Sequence, residues 1–355
     1  MSKRNALFSL LFLLLIAISC LVTAELAVRV LGEKPYGTTE TIPPHDTALK
    51  DDVLGWKMTP NYTFDGIMWG TGVDRPVSLR YDENGFKAYG NPKGERPKVF
   101  FIGDSYTASV EVSNDSSFFN LIGDSLDIEV FAYGHAGYGT LQQLLILEQY
   151  IPIIQPDLVV WQNCTNDFKD NCAALERISY YNVKQRRPYL DADGKVVYIR
   201  PVSAWYVLGE YSAFVRFIHD RWRGYRQRNY AHEIGENRVQ AQGRSFDLYQ
   251  QSIDRTTLTL ERYLAGVGKA VPTIGFVADD YKPESEDMSA IFASVGIPYT
   301  SAPIDALGTA KQRGEKVHSG DGFHWKENGH RIVAASLLPF IAKQLVSDKE
   351  PILGD

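Results

Sequence analysis

The chain has 355 residues, of which 44% are hydrophobic, and a formal net charge of −6. This length suits one large α/β domain with insertions or two small domains. The negative charge argues against general nucleic-acid binding. Three cysteines exclude a disulfide scaffold, and no Cys/His cluster has the spacing of a zinc site. We therefore expect no metal and no cofactor.

The N-terminus carries a targeting segment. Lys3 and Arg4 precede a stretch without charges over residues 6–24. As a helix this stretch would reach about 28 Å, close to the roughly 30 Å hydrocarbon core of a bilayer. An uncleaved membrane anchor is the first prediction, and a signal peptide cleaved after Ala24 stays open. Both place the bulk of the protein outside the cytoplasm, on the periplasmic side, because the positive charges precede the span.

The segment after the anchor differs in residue composition and pattern from the rest of the chain. Residues 25–96 are rich in turn residues and predict a leader or stalk with a small β element laid on the main domain. The main domain is predicted over residues 97–350, with 173–255 as an inserted cap. Within that insertion, Asp193-Gly194 predicts a β-hairpin. An aromatic and arginine-rich helix is predicted over 211–230, and it fits either a solvated face or a contact with membrane headgroups or an anionic polymer.

From residue 97 onward, strands and helices alternate. Apolar strands are predicted at 99–102, 128–132, 158–162, 273–277 and 297–300. Helices are predicted near 117–126, 141–154, 256–266, 289–295 and 329–346. This alternation predicts an α/β fold, with a mostly parallel sheet of about five strands and helices on both faces.

A serine follows the first of these strands directly. Gly103-Asp104-Ser105 ends the run 99–102, so Ser105 stands at the carboxyl end of a strand, where α/β sheets bind ligands. Gly123-Asp124-Ser125 repeats the tripeptide, but an amphipathic helix precedes it, and Ser125 is placed in a helix-to-strand turn. A serine hydroxyl needs a base and an oxyanion site to act as a nucleophile.

Three later segments supply those partners. A glycine-rich turn over 132–140 contains Gly137 and leaves backbone N–H groups open to a negative oxygen. Asn166 follows the third strand, where its amide can donate to an oxyanion. Asp321 and His324 lie three residues apart on a loop, which suits a carboxylate bound to one imidazole nitrogen. Each segment alone is weak, since glycine turns, helix caps and surface Asp-x-x-His sequences are common. The nearby His318 and His330 are weaker candidates than His324, and His330, at the start of the closing helix, is expected to be structural.

Together the four segments resemble the SGNH hydrolase superfamily, or GDSL-type esterases. Its blocks are a Gly-Asp-Ser, a Gly, a Gly-x-Asn-Asp and an Asp-x-x-His, which this chain matches in order at 103–105, 137, 165–167 and 321–324. The resemblance implies a three-layer α/β/α, flavodoxin-like fold. It also implies a Ser105–His324–Asp321 triad and an oxyanion hole formed by the Ser105 and Gly137 N–H groups and the Asn166 side chain. Leu54-Gly55-Trp56 in the leader is similar to a bacterial membrane-anchored branch.

One position departs from the family pattern. The glycine expected two residues before Asn166 is Cys164, and Cys172 lies eight residues further on. Outside the cytoplasm these two could form a disulfide that pins the loop of Asn166, and two unpaired thiols are the alternative.

The resemblance implies a serine-dependent acyl-ester hydrolase or O-acyltransferase. The outward topology and the aromatic insertion favour O-acetyl or other short acyl esters on a polysaccharide as substrate. A lipase or lysophospholipase, and a non-catalytic component of a polysaccharide modification or export assembly, are the alternatives. The expected partners are an acylated carbohydrate or other ester, the membrane through the N-terminal segment and a membrane acyltransferase, with no nucleic acid.

Overall fold

The computed structural model describes residues 3–38, 48–68 and 75–347. The remaining parts of the predicted leader, 39–47 and 69–74, and the predicted domain end at 348–350 lie outside the described residues. The chain divides into two compact units. One comprises Met1–Asp46 and Val202–Asn237, and the other comprises Thr47–Pro201 and Arg238–Asp355.

The helices are α1 Lys3–Val30, α2 Ser105–Ala108, α3 Phe118–Leu126, α4 Thr140–Ile154, α5 Asp167–Asp170, α6 Ala173–Ile178, α7 Ala204–Gly209, α8 Ala213–Asn229, α9 Gly235–Gln242, α10 Asp247–Ala265, α11 Glu284–Ser294, α12 Ala302–Gln312 and α13 Glu327–Ser347. The strands are β1 Ala48–Asp51, β2 Gly55–Met58, β3 Thr63–Gly66, β4 Val77–Arg80, β5 Ala88–Tyr89, β6 Lys98–Gly103, β7 Glu129–Gly134, β8 Leu158–Asn163, β9 Arg187–Leu190, β10 Val196–Ile199, β11 Thr273–Val277 and β12 Tyr299–Thr300.

The second unit is built on a six-stranded sheet with the order β12-β11-β8-β6-β7-β5. All neighbouring strands are parallel except β5 and β7, which are antiparallel. The predicted α/β fold with a mostly parallel sheet is confirmed, and the five predicted strands all form. The sixth strand, β5, comes from the leader. It is only two residues long, too short to show a hydrophobic pattern.

Successive side chains of the central strands point to opposite faces of the sheet. On β6, Phe100 and Ile102 belong to a core that includes side chains of α4, α10 and α11. Val99 and Phe101 belong to a second core, with side chains of α3, α12 and α13. The strands are therefore buried on both faces, and the fold has the three layers that the alternation predicted.

The segments outside the sheet form short antiparallel pairs: β1 with β2, β3 with β4, and β9 with β10. The last pair is the hairpin predicted around Asp193-Gly194. Leader residues Leu54, Trp56 and Phe86 are buried in the core on the α4 side of the sheet. The described residues 48–68 and 75–96 are thus an integral part of the second unit.

The first unit contains α1, α7 and α8. Among the described residues, one helix is long and apolar enough to cross a membrane, Asn5–Val30, with a mean hydropathy of 2.7. Helix α8 lies within the predicted 211–230. Its first turn is capped by the carboxylate of Glu25, which accepts hydrogen bonds from the Ser212 hydroxyl and from the backbone N–H groups of Ala213 and Phe214.

The last residue of β7, Gly134, permits a close backbone approach that places α2. A Cβ at this position would lie 2.5 Å from the Asp104 carbonyl oxygen and 2.6 Å from the Ala108 nitrogen. Because no side chain intervenes, the short helix that begins at Ser105 packs directly on the end of β7.

We expect Gly134→Ala to lower the free energy of unfolding by about 1–3 kcal/mol, because the added methyl group must displace α2 or β7. Denaturant unfolding of the full chain in detergent measures this. Gly308→Ala is the matched control: nothing lies within 4 Å of the Cβ built at this helical position, so the variant should be unchanged or more stable by up to about 1 kcal/mol. Equal stability of the two variants would contradict the tight approach.

Candidate active site

Ser105 is the first residue of α2 and follows β6 after a single intervening residue. That residue, Asp104, caps the helix: its Oδ1 accepts a hydrogen bond of 3.0 Å from the Tyr106 N–H. A short carboxylate in a non-helical conformation is well suited to this position. The strand end, the cap and the helix together fix the direction of the Ser105 side chain.

Ser105, His324 and Asp321 form a continuous hydrogen-bonded chain. The Ser105 Oγ lies 2.9 Å from His324 Nε2, and His324 Nδ1 lies 2.6 Å from Asp321 Oδ2. The other oxygen of Asp321 accepts from the Phe323 N–H at 2.8 Å and from the Ser319 hydroxyl at 2.7 Å. The carboxylate orients the imidazole, and the imidazole can take the serine proton.

Three kinds of contact hold the loop that carries His324: backbone pairing, a hydrogen bond from Tyr106 and ring packing. The Ser319 N–H donates to the His324 carbonyl at 2.8 Å, and His318 and Trp325 form an isolated β-bridge. The Tyr106 hydroxyl donates to the Phe323 carbonyl at 3.2 Å. Trp325 is buried against the Tyr106 ring, with the centroids 4.7 Å apart. His324 is thus fixed relative to the helix that begins at Ser105.

The register of the sheet brings the remaining predicted residues to the same edge. Gly103 is paired with Gly134 of β7, and Ile102 is paired with Trp161 of β8. Gly137 and Asn166 each follow the last residue of their strand by three positions. Both therefore lie at the edge where Ser105 stands, because the carboxyl ends of parallel strands share one edge. Their action as oxyanion donors stays a prediction.

Each of these two residues has a conformation that suits a turn. Gly137 has a φ of +74°, in the left-handed region that glycine adopts without strain. Asn166 is the N-cap residue of α5, and its Oδ1 is buried without a hydrogen-bond partner among the described residues. Asp167 begins α5, and its carboxylate accepts from the Cys164 N–H at 3.1 Å, which stabilises the turn.

Glu111 is a second carboxylate beside the imidazole, and it was not predicted from the sequence. Its Oε1 lies 3.4 Å from His324 Nδ1, and its side chain is buried. Burial lowers the pKa of His324, but the hydrogen bond to Asp321 and the charge of Glu111 outweigh this and raise the pKa to about 9. Burial raises the pKa of Glu111 itself. Two acidic groups therefore stabilise the imidazolium form.

Lys87, from the leader, holds the segment that carries Glu111. Its buried ammonium group donates to the carbonyls of Ser109 and Val112 and to the Ser109 hydroxyl. Burial lowers the pKa of Lys87 to about 7, against the raising influence of Glu111 and Asp115. The side chain thus braces the loop just after α2.

Ligand atoms of Glu111, Asp321 and His324 lie within 4.8 Å of one another, a spacing that could hold a metal ion. Both imidazole nitrogens already have partners, however: Nδ1 faces Asp321, and Nε2 faces Ser105. A metal bound by the two carboxylates would take Nδ1 and replace the 2.6 Å contact between His324 and Asp321, so the arrangement fits proton transfer better than metal binding.

Arg187, at the start of β9, ties the glycine turn to the loop of Asn166, and the sequence carried no signal for it. Its fully buried guanidinium contacts Asp170 at 3.0 Å and Glu176 at 3.2 Å. The same group donates to the Gly137 carbonyl. Since Asp170 ends the short helix α5, one side chain connects both predicted oxyanion elements. Burial lowers the pKa of Arg187, but the two carboxylates outweigh this and raise it.

The leader supports the glycine turn from another side. The Trp56 indole N–H donates to His135 Nδ1 at 3.1 Å and to the Ala136 carbonyl at 3.3 Å. In return, the Tyr138 hydroxyl donates to the Trp56 carbonyl at 2.7 Å. A turn made largely of glycine is thus fixed by neighbouring side chains.

Cys164 and Cys172 do not form the disulfide that was one of the two alternatives, since both are free and buried. The loop of Asn166 is instead held by Asp279, which accepts from the Thr165 N–H at 2.9 Å and from the Thr165 hydroxyl at 2.7 Å. Burial raises the pKa of the Cys164 thiol, so it is a poor nucleophile.

The weaker candidates lie apart from this chain of contacts. Ser125 is within the last turn of α3 rather than beyond it, and its hydroxyl donates to the Leu121 carbonyl at 2.8 Å. His330 is buried in α13, and its Nδ1 accepts from the Phe118 N–H at 3.3 Å. The half-buried His318 has its pKa lowered to about 4, by burial and then by Lys311.

Neither the protein-family models nor the curated proteins yield a match to this chain. Among solved structures, a lipase/acylhydrolase from Enterococcus faecalis is 14% identical, with a TM-score of 0.38, over 70% of this chain and 96% of the other. An acetylxylan esterase from Geobacillus stearothermophilus is 13% identical, with a TM-score of 0.36, over 72% and 96%. A GDSL-like lipase from Bacteroides thetaiotaomicron is 14% identical, with a TM-score of 0.34, over 69% and 88%.

We expect Glu111→Gln to move the pH dependence of serine reactivity to lower pH. A fluorophosphonate should label Ser105 only when His324 is neutral, so the labelling rate should rise with pH through the raised pKa of His324. Removal of one nearby negative charge lowers that pKa, and the midpoint should fall by roughly one pH unit. Glu83→Gln removes an exposed carboxylate and is the charge-matched control. An identical midpoint in both variants would show that Glu111 does not act on His324.

We expect Arg187→Met to lower the free energy of unfolding by about 3–5 kcal/mol, because Asp170 and Glu176 stay buried without their shared cation. At temperatures where the variant remains folded, fluorophosphonate labelling of Ser105 should also be slower, because the Gly137 turn has lost a donor. Arg186→Met, at the exposed neighbouring position, is the control. Stability equal to that of the control would refute the bracing role of Arg187.

Proposed function

We propose that this chain is a serine-dependent ester hydrolase or O-acyltransferase of the SGNH type. The observation that carries the proposal is the contact chain of 2.9 Å from Ser105 Oγ to His324 Nε2 and 2.6 Å from His324 Nδ1 to Asp321 Oδ2. A serine activated in this way forms covalent acyl intermediates with esters.

The steps follow from the positions of the protons. His324 takes the proton of Ser105 as the oxygen attacks the ester carbonyl, and then gives it to the leaving alcohol. The resulting acyl-Ser105 is attacked by water or by a second alcohol, again with His324 as the base. Asp321 and Glu111 stabilise the imidazolium in both halves of the reaction.

The tetrahedral intermediate carries a negative oxygen that needs hydrogen-bond donors. We assign this role to the backbone N–H groups of Ser105 and Gly137 and to the side-chain amide of Asn166, which lie at the same edge of the sheet. Loss of one such donor typically slows an acyl transfer about 10²–10³-fold. Arg187 and Trp56 act as positioning residues for the Gly137 turn.

A cavity lined in part by the chain neighbours of Ser105 and His324 supports a carbohydrate ester as the substrate. It has a volume of about 370 Å³, and its lining includes Tyr106, Tyr281, Phe323, Asp280 and Lys311. Aromatic rings can stack on sugar faces, and the charged groups can bind hydroxyls. A long acyl chain would instead need a continuous apolar channel. We therefore favour O-acetyl or other short acyl esters on a polysaccharide.

The location proposed for this activity is the outer side of a membrane. Helix α1 is long enough to span a bilayer, and Lys3 and Arg4 precede its apolar part, which favours an outward-facing main unit. The helix also continues without a break across Ala24, the candidate cleavage site, to Val30.

Hydrolysis and transfer use the same residues and differ only in the acceptor. Chain-length profiling with p-nitrophenyl esters separates a short-acyl esterase from a lipase, since a preference for long chains would favour the lipase. Acyl transfer to added oligosaccharide, detected by mass spectrometry, separates transferase from hydrolase.

We expect Ser105→Ala to lose all turnover of p-nitrophenyl acetate and all acetate release from O-acetylated polysaccharide. Ser125→Ala removes the serine of the second Gly-Asp-Ser and should retain full activity, because Ser125 lies in α3. Unchanged turnover in Ser105→Ala would refute the serine mechanism. Failure of a fluorophosphonate to label the wild-type chain would support the non-catalytic alternative.

A further inference from the structure

Helix α8 presents an exposed apolar stripe on one face. Ile218, Trp222 and Tyr225 are separated by four and three residues, the spacing of a single helical face. Their exposed fractions are 43%, 56% and 43%, and Tyr211, in the turn before the helix, is 80% exposed. The Trp222 and Tyr225 rings stack with centroids 5.6 Å apart. Large aromatic side chains are thus concentrated on a surface that nothing in the first unit covers among its described residues.

Arginines flank this stripe. Helix α8 contains five arginines and a single acidic residue, Asp220. At 100° per residue, Arg221 and Arg228 lie on one side of the stripe and Arg226 on the other. All three are exposed, although Arg226 is also paired with Glu233. An aromatic face bordered by cations on long stems is typical of a helix that lies in a membrane interface.

The N-terminus of α8 is fixed at the end of the apolar span. Glu25, which caps α8 through Ser212, Ala213 and Phe214, is the first charged residue after the uncharged stretch 6–24. The start of α8 therefore lies where α1 leaves the hydrocarbon core of a bilayer. Aromatic residues are enriched at this depth in membrane proteins.

The opposite face of α8 is already covered. Arg216 donates to the Lys34 carbonyl at 2.6 Å, and the Tyr36 hydroxyl donates to Asp220. Lys34 and Tyr36 follow the span and therefore lie on its aqueous side. Arg216 and Asp220 lie on the helix face opposite to Trp222, so the stripe is turned away from these post-span residues.

We propose that α8 lies in the interface of the membrane that α1 spans, with its aromatic stripe among the lipid glycerol and acyl groups and its arginines on anionic headgroups. The proposal rests on α1 as a retained anchor and goes beyond the proposed esterase activity. It gives the first unit a two-part attachment, one helix through the bilayer and one along it. Each arginine adds attraction for an anionic lipid surface.

The test uses the full chain reconstituted in vesicles of phosphatidylcholine with or without phosphatidylglycerol. Lipids brominated on the acyl chains near the glycerol quench tryptophan at that depth. We expect a blue-shifted, quenched emission component in the wild type that is lost in Trp222→Phe. Trp205→Phe, which removes an exposed tryptophan of α7, should keep this component. Equal quenching in wild type and Trp222→Phe would overturn the proposal.

A double variant tests the arginines and leaves the aromatic stripe unchanged. Arg221→Gln with Arg228→Gln should reduce Trp222 quenching in vesicles that contain phosphatidylglycerol and leave it unchanged in phosphatidylcholine alone. No difference between the two lipid compositions would overturn the headgroup assignment. Trp222 emission could also respond to the protein-to-lipid ratio and not to brominated lipid. That result would show that a second copy of the chain covers the stripe, and it would overturn the proposal.

The anchor and the serine chemistry are tested separately from the stripe. Intact mass of the purified chain shows whether residues 1–24 are retained, and their loss would refute both the anchor and the position of α8. A chain that is retained in the membrane but has an unquenched Trp222 would refute α8 alone. Fluorophosphonate labelling of Ser105 is expected to be unchanged in Trp222→Phe, so failure of the esterase proposal is a distinct result.

Discussion

The site depends on the close approach of three parallel strand ends, β7, β6 and β8. The short helix α2, which begins at Ser105, can pack against the neighbouring strand only where that strand ends without a side chain, and Gly134 provides that gap. The pairing of Gly103 with Gly134 then fixes the level of Ser105 against the glycine turn. Because the third strand ends at the same edge, the loop of Asn166 begins at that level too. A shift in register would separate all of these parts at once.

Buried charge is used in this protein to fix loops. Arg187 and Lys87 are both buried, and a buried cation is costly unless carboxylates or several acceptors surround it. Arg187 has two carboxylates, and Lys87 has three oxygen acceptors on Ser109 and Val112, which flank Glu111. Each cation therefore has one low-energy arrangement of its neighbours. The cost of desolvation is offset only when the segment next to the candidate site is folded, which couples burial of the cation to the conformation of that segment.

Local patterns in the sequence were sufficient to predict the main strands and three residues of the candidate site. Apolar runs gave the five main strands, and the order of four short blocks gave Ser105, His324 and Asp321, which the structure joins by hydrogen bonds. Glu111, Arg187 and Asp279 could not be found in this way. Their roles arise from contacts across 213, 50 and 114 residues of chain, and no local period marks such contacts. Strand β5 was not predicted because a strand of two residues cannot show an alternation of apolar and polar side chains.

The leader and the β9–β10 hairpin both contact the candidate site, and the leader also adds strand β5 to the main sheet. A glycine-rich turn has few side chains with which to hold its own conformation, so its rigidity must come from neighbours. Here Trp56 and Arg187 both bind the turn, the Arg187 guanidinium lies over the Trp56 ring, and neither residue lies on a strand of the main sheet. Lys87 braces the loop of Glu111 in the same manner. The alternating strands and helices bring the candidate catalytic residues to one edge of the sheet, and these flanking segments hold the turns that carry or adjoin them.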